Sequence, residues 1–172
     1  YQDVYFVDHA NLLISLSQIS ETLCILLIPF FLKRYGIKRV MLIAMVAWAF
    51  RFGFFAIGNP SFPAVTWFIL SMIVYGVAFD FFNISGSLFV NNETDSSIRS
   101  SAQGLFMIMT NGIGASIGML IAQAVVNNFT YSQEAGGQFY TVGEWPIVWG
   151  IFAAYALLVA IFFALIFKEK NQ

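Results

Sequence analysis

Five long apolar runs separated by short polar breaks leave this chain few ways to fold. They extend from Leu12 to Leu32, Val40 to Ile57, Ala64 to Val90, Ala102 to Val126 and Pro146 to Phe167. A helix needs about 20 mainly apolar residues to cross the hydrocarbon core of a bilayer, and each run approaches or exceeds that length. In lipid the backbone must satisfy its own hydrogen bonds, which only a helix or a closed barrel achieves. Runs this continuously apolar exclude the alternating pattern of a barrel. The sequence therefore predicts an all-α, polytopic transmembrane bundle of five spans that requires no strand. Composition agrees, with 10% of residues charged against roughly 25% in soluble domains. The chain opens YQDVYFVDHAN, without the basic flank and small-residue cleavage site of a secretory signal, so the first run is expected to be structural.

The breaks carry turn chemistry and set the topology. KRYGIKR follows the first run, GNPSFP the second and NNETDSSIRS the third; a Gly- and polar-rich loop from Asn127 to Trp145 follows the fourth. Lys33, Arg34, Lys38 and Arg39 fill the first loop, Arg99 lies in the third, and Lys168 and Lys170 end the chain. The N-terminal segment, GNPSFP and the fourth loop hold Asp3, Asp8, Glu134 and Glu144 and no Lys or Arg. Basic residues accumulate in short cytoplasmic loops, so residue 1 is expected outside and residue 172 in the cytoplasm. An odd number of spans demands the same parity. KRYGIKR reads first as a positive-inside anchor; a latch between its cations and an acidic or helix-C-terminal partner is the alternative, and Arg99 reads the same way.

Other classes of function find little support. A net charge of −1, from eight Lys plus Arg and nine Asp plus Glu, makes no basic field for nucleic acid. The lone Cys24 cannot form an internal disulfide. The sequence shows no nucleotide-binding loop, metal-ligand cluster or nucleophile motif, so no enzyme, cofactor or metal is expected. His9 reads as a solvated terminal residue and the sequons at Asn92 and Asn128 as chance matches, while the one at Asn83 lies inside a span, where glycosylation cannot occur. In the fourth run the pairs Gly112 and Ser116, Gly114 and Gly118, and Gly118 and Ala122 are each four apart, a strip that permits close helix packing.

Three ionisable residues lie well inside spans: Glu21, Arg51 and Asp80. Each costs at least about 2.5 kcal/mol if it faces lipid near the bilayer centre, so each should face a bundle interior or a wet cavity. Gln18 and Glu21, three apart, share a helix face and offer an amide and a carboxylate to hydroxyl groups, as on a sugar or ribose. Tyr75, Phe79 and Asn83 recur every four residues as an aromatic and amide stripe beside Asp80. Either carboxylate could carry a proton. The competing structural reading is an ion pair of Arg51 with Glu21 or Asp80 that only locks helices together; Arg51, past the middle of its span, could also snorkel.

The strings SQISETLCILLIPFFLKRYGIKRVM, SMIVYGVAFDFFNISGSLFV and IRSSAQGLFMIMTNG together resemble the bacterial nucleoside:proton symporter family of the major facilitator superfamily. The resemblance is close from Leu12 to Gly118 and looser in the last span. It implies that the five spans are helices eight to twelve of a twelve-helix permease. Residues 1–172 would then be a partial C-terminal bundle without the N-terminal half. It further implies proton-driven nucleoside uptake across the bacterial cytoplasmic membrane by alternating access, with Gln18, Glu21, Tyr75, Phe79 and Asp80 as substrate contacts. The partners so implied are a nucleoside, protons, the bilayer and the missing half of the permease.

Two further readings stand beside this one. A sugar or oligosaccharide symporter would use the Gln18 and Glu21 pair equally well, though the aromatic stripe favours a flat base. A non-transporting membrane scaffold would use the buried charges only to specify helix packing.

Overall fold

A computed structural model describes residues 10–59 and 62–167. The terminal positions read as outside and cytoplasmic, with Asp3, Asp8, His9, Lys168 and Lys170, lie outside the described residues. In chain order the elements are α1 (Ala10–Ile57), α2 (Val65–Glu93), α3 (Arg99–Met107), a π-helical segment (Ile108–Gly114), α4 (Ala115–Phe129), β1 (Thr130–Ala135), β2 (Gln138–Gly143) and α5 (Trp145–Ile166).

The expected loop at KRYGIKR is corrected. Helical geometry runs through it and fails only at Gly36, with φ 77° and ψ 168°, a region essentially reserved for glycine. Among the described residues, four helical stretches, not five, are long and apolar enough to cross a membrane: 11–57, which contains the kink at Gly36, 65–93, 99–129 and 145–166. Lys, Arg and Ile tolerate a helix well, so polarity alone did not unwind the segment.

Packing shows that α1 nevertheless folds back on itself. Cys24 and Ile28 share one buried cluster with Val40, Ala44 and Phe81. On a straight helix Cys24 and Ala44 would stand about 30 Å apart. The arms 10–35 and 37–57 therefore form a helical hairpin hinged at Gly36, and each arm, about 30 to 40 Å long, suffices to cross the hydrocarbon core.

The chain divides into two compact units, residues 10–86 with 149–167, and residues 87–148. In the first, α2 packs on both arms of α1. The Ser20 hydroxyl of the first arm donates to the Ile73 carbonyl oxygen, and the Ser71 hydroxyl donates to the Arg51 carbonyl oxygen of the second arm at 3.2 Å. Phe81 packs against Phe31 with ring centroids 5.1 Å apart and planes tilted by 60°. Trp149 and Phe152 of α5 close on Phe52 and Phe55 of the second arm, with ring centroids 4.8 to 6.1 Å apart.

The second unit holds the end of α2, the helical stretch 99–129 and a hairpin. Ser87 and Gln103 clasp reciprocally: the serine hydroxyl donates to Oε1 at 2.9 Å, and Nε2 donates to the serine carbonyl oxygen at 2.7 Å. Arg99 donates to the Thr94 carbonyl oxygen at 3.3 Å. The expectation that no strand is required fails at the fourth loop, where β1 and β2 pair antiparallel from Thr130↔Gly143 to Ala135↔Gln138. A two-residue turn joins them through Gly136 and Gly137, with φ 61° and 77°. Two positive φ values in a two-residue loop match the twist of the flanking strands, and Tyr, Thr, Phe and Val supply the extended preference.

Candidate functional site

The polar residues expected inside the membrane converge within the first unit, on the two arms of α1 and the middle of α2. Gly76 makes this possible. A Cβ placed there would lie 2.7 Å from the carbonyl carbon and oxygen of Ser20 and 2.8 Å from the Glu21 nitrogen. Only a residue without a side chain lets the two backbones approach so closely. That contact sets Glu21 beside the residues flanking Gly76 on α2.

Glu21, half-buried, lies within electrostatic reach of Arg51, Tyr75 and Asp80. Asp80, one turn beyond Gly76, is 8% exposed, and its Oδ2 has no hydrogen-bond partner. Cys24 of the first arm also lies within reach of Asp80. Two carboxylates from different helices thus lie near one another, that of Asp80 buried and that of Glu21 half-buried.

The aromatic stripe of α2 forms as its spacing predicts. Tyr75 and Phe79 stack with centroids 5.6 Å apart and planes 20° from parallel. Phe79 is 39% exposed, which leaves ring surface open to a flat partner. Asn83 turns back on its own helix, its amide donating to the Phe79 carbonyl oxygen at 2.9 Å. Gln18 is exposed one turn before Glu21, and its carbonyl oxygen accepts from Thr22 at 3.0 Å.

Arg51 sits among rings. Its guanidinium lies 4.1 Å from the Tyr75 centroid, 5.5 Å from that of Phe55 and 5.6 Å from that of Trp48. Trp48 meets Tyr75 edge-on at 6.0 Å. This aromatic seat stands where the sequence suggested a carboxylate partner, with Glu21 in electrostatic range rather than in the closest contacts.

Sequence reasoning missed Ser20, Trp48, Phe55, Ser71 and Gly76. Gly76 alone carried a signal, as a glycine one turn before an intramembrane aspartate. The others gain meaning only once two helices are set side by side.

Comparison with known proteins identifies the family. A family model described as nucleoside H+ symporter matches residues 2–172. The chain is 52% identical to the xanthosine permease of Escherichia coli K12 over 172 residues, covering 100% of this chain and 39% of that protein. It is 50% identical to the nucleoside permease NupG of the same organism over 167 residues, covering 97% and 38%. The crystal structure of the nucleoside transporter NupG superposes with a TM-score of 0.86 at 49% identity, over 99% of this chain and 40% of that one. The chain thus spans about two fifths of the length of these relatives. With the match running along nearly all of its residues, the chain belongs to the nucleoside H+ symporter family.

Proposed function

We propose that this chain contributes the C-terminal side of a proton-coupled nucleoside permease of the bacterial cytoplasmic membrane, working by alternating access. The observation that carries the reading is the juxtaposition of the stacked Tyr75 and Phe79 rings with Glu21 and Asp80. A nucleobase stacks on an aromatic face, and vicinal ribose hydroxyls suit the Gln18 amide and Glu21 carboxylate. Protonation of either carboxylate and binding of substrate favour the same conformation, which links the two fluxes. The relatives named for xanthosine and nucleoside transport support this ligand class.

The test is uptake of uridine and adenosine by the whole permease that contains this chain, driven by an imposed pH gradient. Glu21→Gln or Asp80→Asn is expected to reduce gradient-driven uptake to background, with substrate exchange surviving in whichever variant has lost only coupling. Undiminished pH-dependent uptake in both variants would overturn the assignment. The aromatic stack favours a base over a sugar; displacement of bound nucleoside by a disaccharide as readily as by another nucleoside would reverse that preference.

A further inference from the structure

The unit 87–148 holds a polar cleft that the transport site proposed above does not use. It opens where the end of α4, the base of the hairpin and the start of α5 meet, and encloses about 440 Å³. Small-molecule sites occupy roughly 300 to 1,000 Å³, so the cleft has room for one small ligand. Its walls include Gln123 and Asn127 of α4, Thr130, Ser132 and Thr141 of the hairpin, and Trp145.

These residues are arranged by the backbone. Ser132 pairs with Thr141 across the ladder and Thr130 lies two residues before Ser132, so three hydroxyls share one face of the hairpin. On α4 the Gln123 Nε2 donates to the Asn127 Oδ1 at 2.7 Å. That bond leaves the Gln123 Oε1 as an acceptor and the Asn127 Nδ2 as a neighbouring donor, the combination with which amide side chains read the edge of a nucleobase. Trp145 adds a flat ring, its Nε1–H donating to the Thr141 carbonyl oxygen at 3.3 Å. The base of the ladder is also tied to the helices without help from its turn: the Thr130 hydroxyl donates to the Val126 carbonyl oxygen at 2.8 Å, and the Glu144 N–H to the Phe129 carbonyl oxygen at 2.9 Å.

Charge and position narrow the ligand. No Lys or Arg occurs from residue 100 to residue 167, and the acidic residues of that range are Glu134 and Glu144, in the hairpin and just after it. Such a cleft suits an uncharged molecule with hydroxyls and a flat ring, and offers nothing to a phosphate. Arg99 begins α3, and the cleft stands at the opposite end of the stretch 99–129, the outer side by the placement of the basic residues.

We propose that the cleft is a second nucleoside site, on the outer face of the membrane, which holds the uncharged substrate by its hydroxyls and base edge before translocation and rejects the phosphorylated form. The identity of its occupant rests on the nucleoside function proposed above.

The purified whole permease that contains this chain is titrated with uridine and with uridine 5′-monophosphate as wild type, as the double variant Gln123→Leu with Asn127→Leu, as Ser132→Arg and as Phe79→Leu. Wild type is expected to bind two uridines, and the double variant and Phe79→Leu one each. Losing the two amides should raise the KM for uridine uptake about tenfold, the worth of one or two hydrogen bonds, with kcat unchanged. Ser132 is exposed, and Ser132→Arg should admit uridine 5′-monophosphate, which wild type excludes. One uridine per wild-type permease, unchanged by the α4 substitutions, overturns the second site and leaves the transport function standing. No uridine bound by wild type refutes that function and the cleft's occupant together. Equal binding of uridine and its monophosphate to wild type overturns the charge selection, and displacement from Phe79→Leu by free ribose as readily as by uridine overturns the reading of a base. Should the double variant fail to fold, Ser132→Arg decides: monophosphate binding that uridine displaces supports the cleft as the site, and no gain of that binding overturns it.

Discussion

The helix α2 and the helical stretch 99–129 are both long and apolar enough to cross a membrane, yet 33% of the most apolar stretch of α2 is buried and 0% of the other. Within α2 the buried positions include Ser71, Gly76, Ala78, Asp80, Phe81, Ser85 and Gly86, so its small and polar residues mark the face that meets other helices. In 99–129 the small residues Gly104 and Gly118 have open space where a Cβ would stand. Apolarity alone therefore says that a helix resides in the membrane. Which neighbour covers it is written in where small and polar residues are spent, and the same small residues mean packing only where a partner backbone arrives.

The largest expected effect separates the two helices by burial. Phe81 is 1% exposed in the cluster with Cys24, Ile28, Val40 and Ala44, whereas Leu120 is 73% exposed. Phe81→Ala should cost about 3 to 5 kcal/mol of stability through lost contacts and a residual cavity. Leu120→Ala should cost under about 1 kcal/mol, because lipid tails replace what the side chain loses. Thermal or denaturant melts of the whole permease check this. Equal losses would break the comparison by showing that the Leu120 face is packed against further helices.

Gly76→Ala against Gly118→Ala sharpens the same contrast with identical chemistry. At Gly76 the new methyl meets the Ser20 backbone at 2.7 Å, and at Gly118 it meets nothing within 4 Å. Forcing the arms of the hairpin away from α2 should cost roughly 1 to 3 kcal/mol. Because Glu21 rides on that contact, nucleoside affinity should fall as well. Gly118→Ala should be neutral or slightly stabilising, as alanine favours a helix over glycine. A fall in stability without any fall in affinity would show that the contact holds the fold but not the site.

Much of this was legible before any coordinates. The spans were set by apolar length, and the stack of Tyr75 on Phe79 beside Asp80 by four-residue spacing on a helix. What escaped has physical causes. KRYGIKR looks like a loop because it is charged, but charge does not break a helix; one glycine with positive φ does. The hairpin at 130–143 was masked because polar residues and glycines read as a loop, although Gly136 and Gly137 between extended-favouring residues form a hairpin signal. The aromatic seat of Arg51 joins two elements, and no local pattern predicts which rings will meet a cation across a helix interface.

The π-helical segment Ile108–Gly114 had no sequence signature either, and it offers a smaller, dynamic test. A Cβ at Gly114 would lie 2.8 Å from the Met109 carbonyl oxygen, a contact produced by the widened coil. Gly114→Ala should therefore press the segment toward regular α-helix. π segments inside α-helices recur at functional sites, and one that bends during alternating access should lose turnover when regularised. An increase of about 1 kcal/mol in the barrier corresponds to roughly fivefold slower uptake, with substrate affinity unchanged and Gly118→Ala as the matched control. Uptake at wild-type rate in Gly114→Ala would show that this widening plays no part in the cycle.

The smallest effect belongs to the hairpin, where the second unit is most exposed and furthest in character from the packed α2. Residues 131–134 and 136–141 are exposed, with Val142 half-buried, so the hairpin stands on its ladder and turn rather than on a core. Replacing Gly136, at φ 61°, by alanine places a Cβ in the left-handed region at a cost of about 1 to 2 kcal/mol. An isolated two-stranded hairpin is marginal, so that cost should fray the strands. Amide exchange along Tyr131 to Glu134 would then quicken several-fold. Global stability should move by less than about 0.5 kcal/mol, because no buried contact depends on the turn, and uptake should be unchanged. A loss of uptake comparable with that of Gly114→Ala would instead tie the hairpin to the transport cycle.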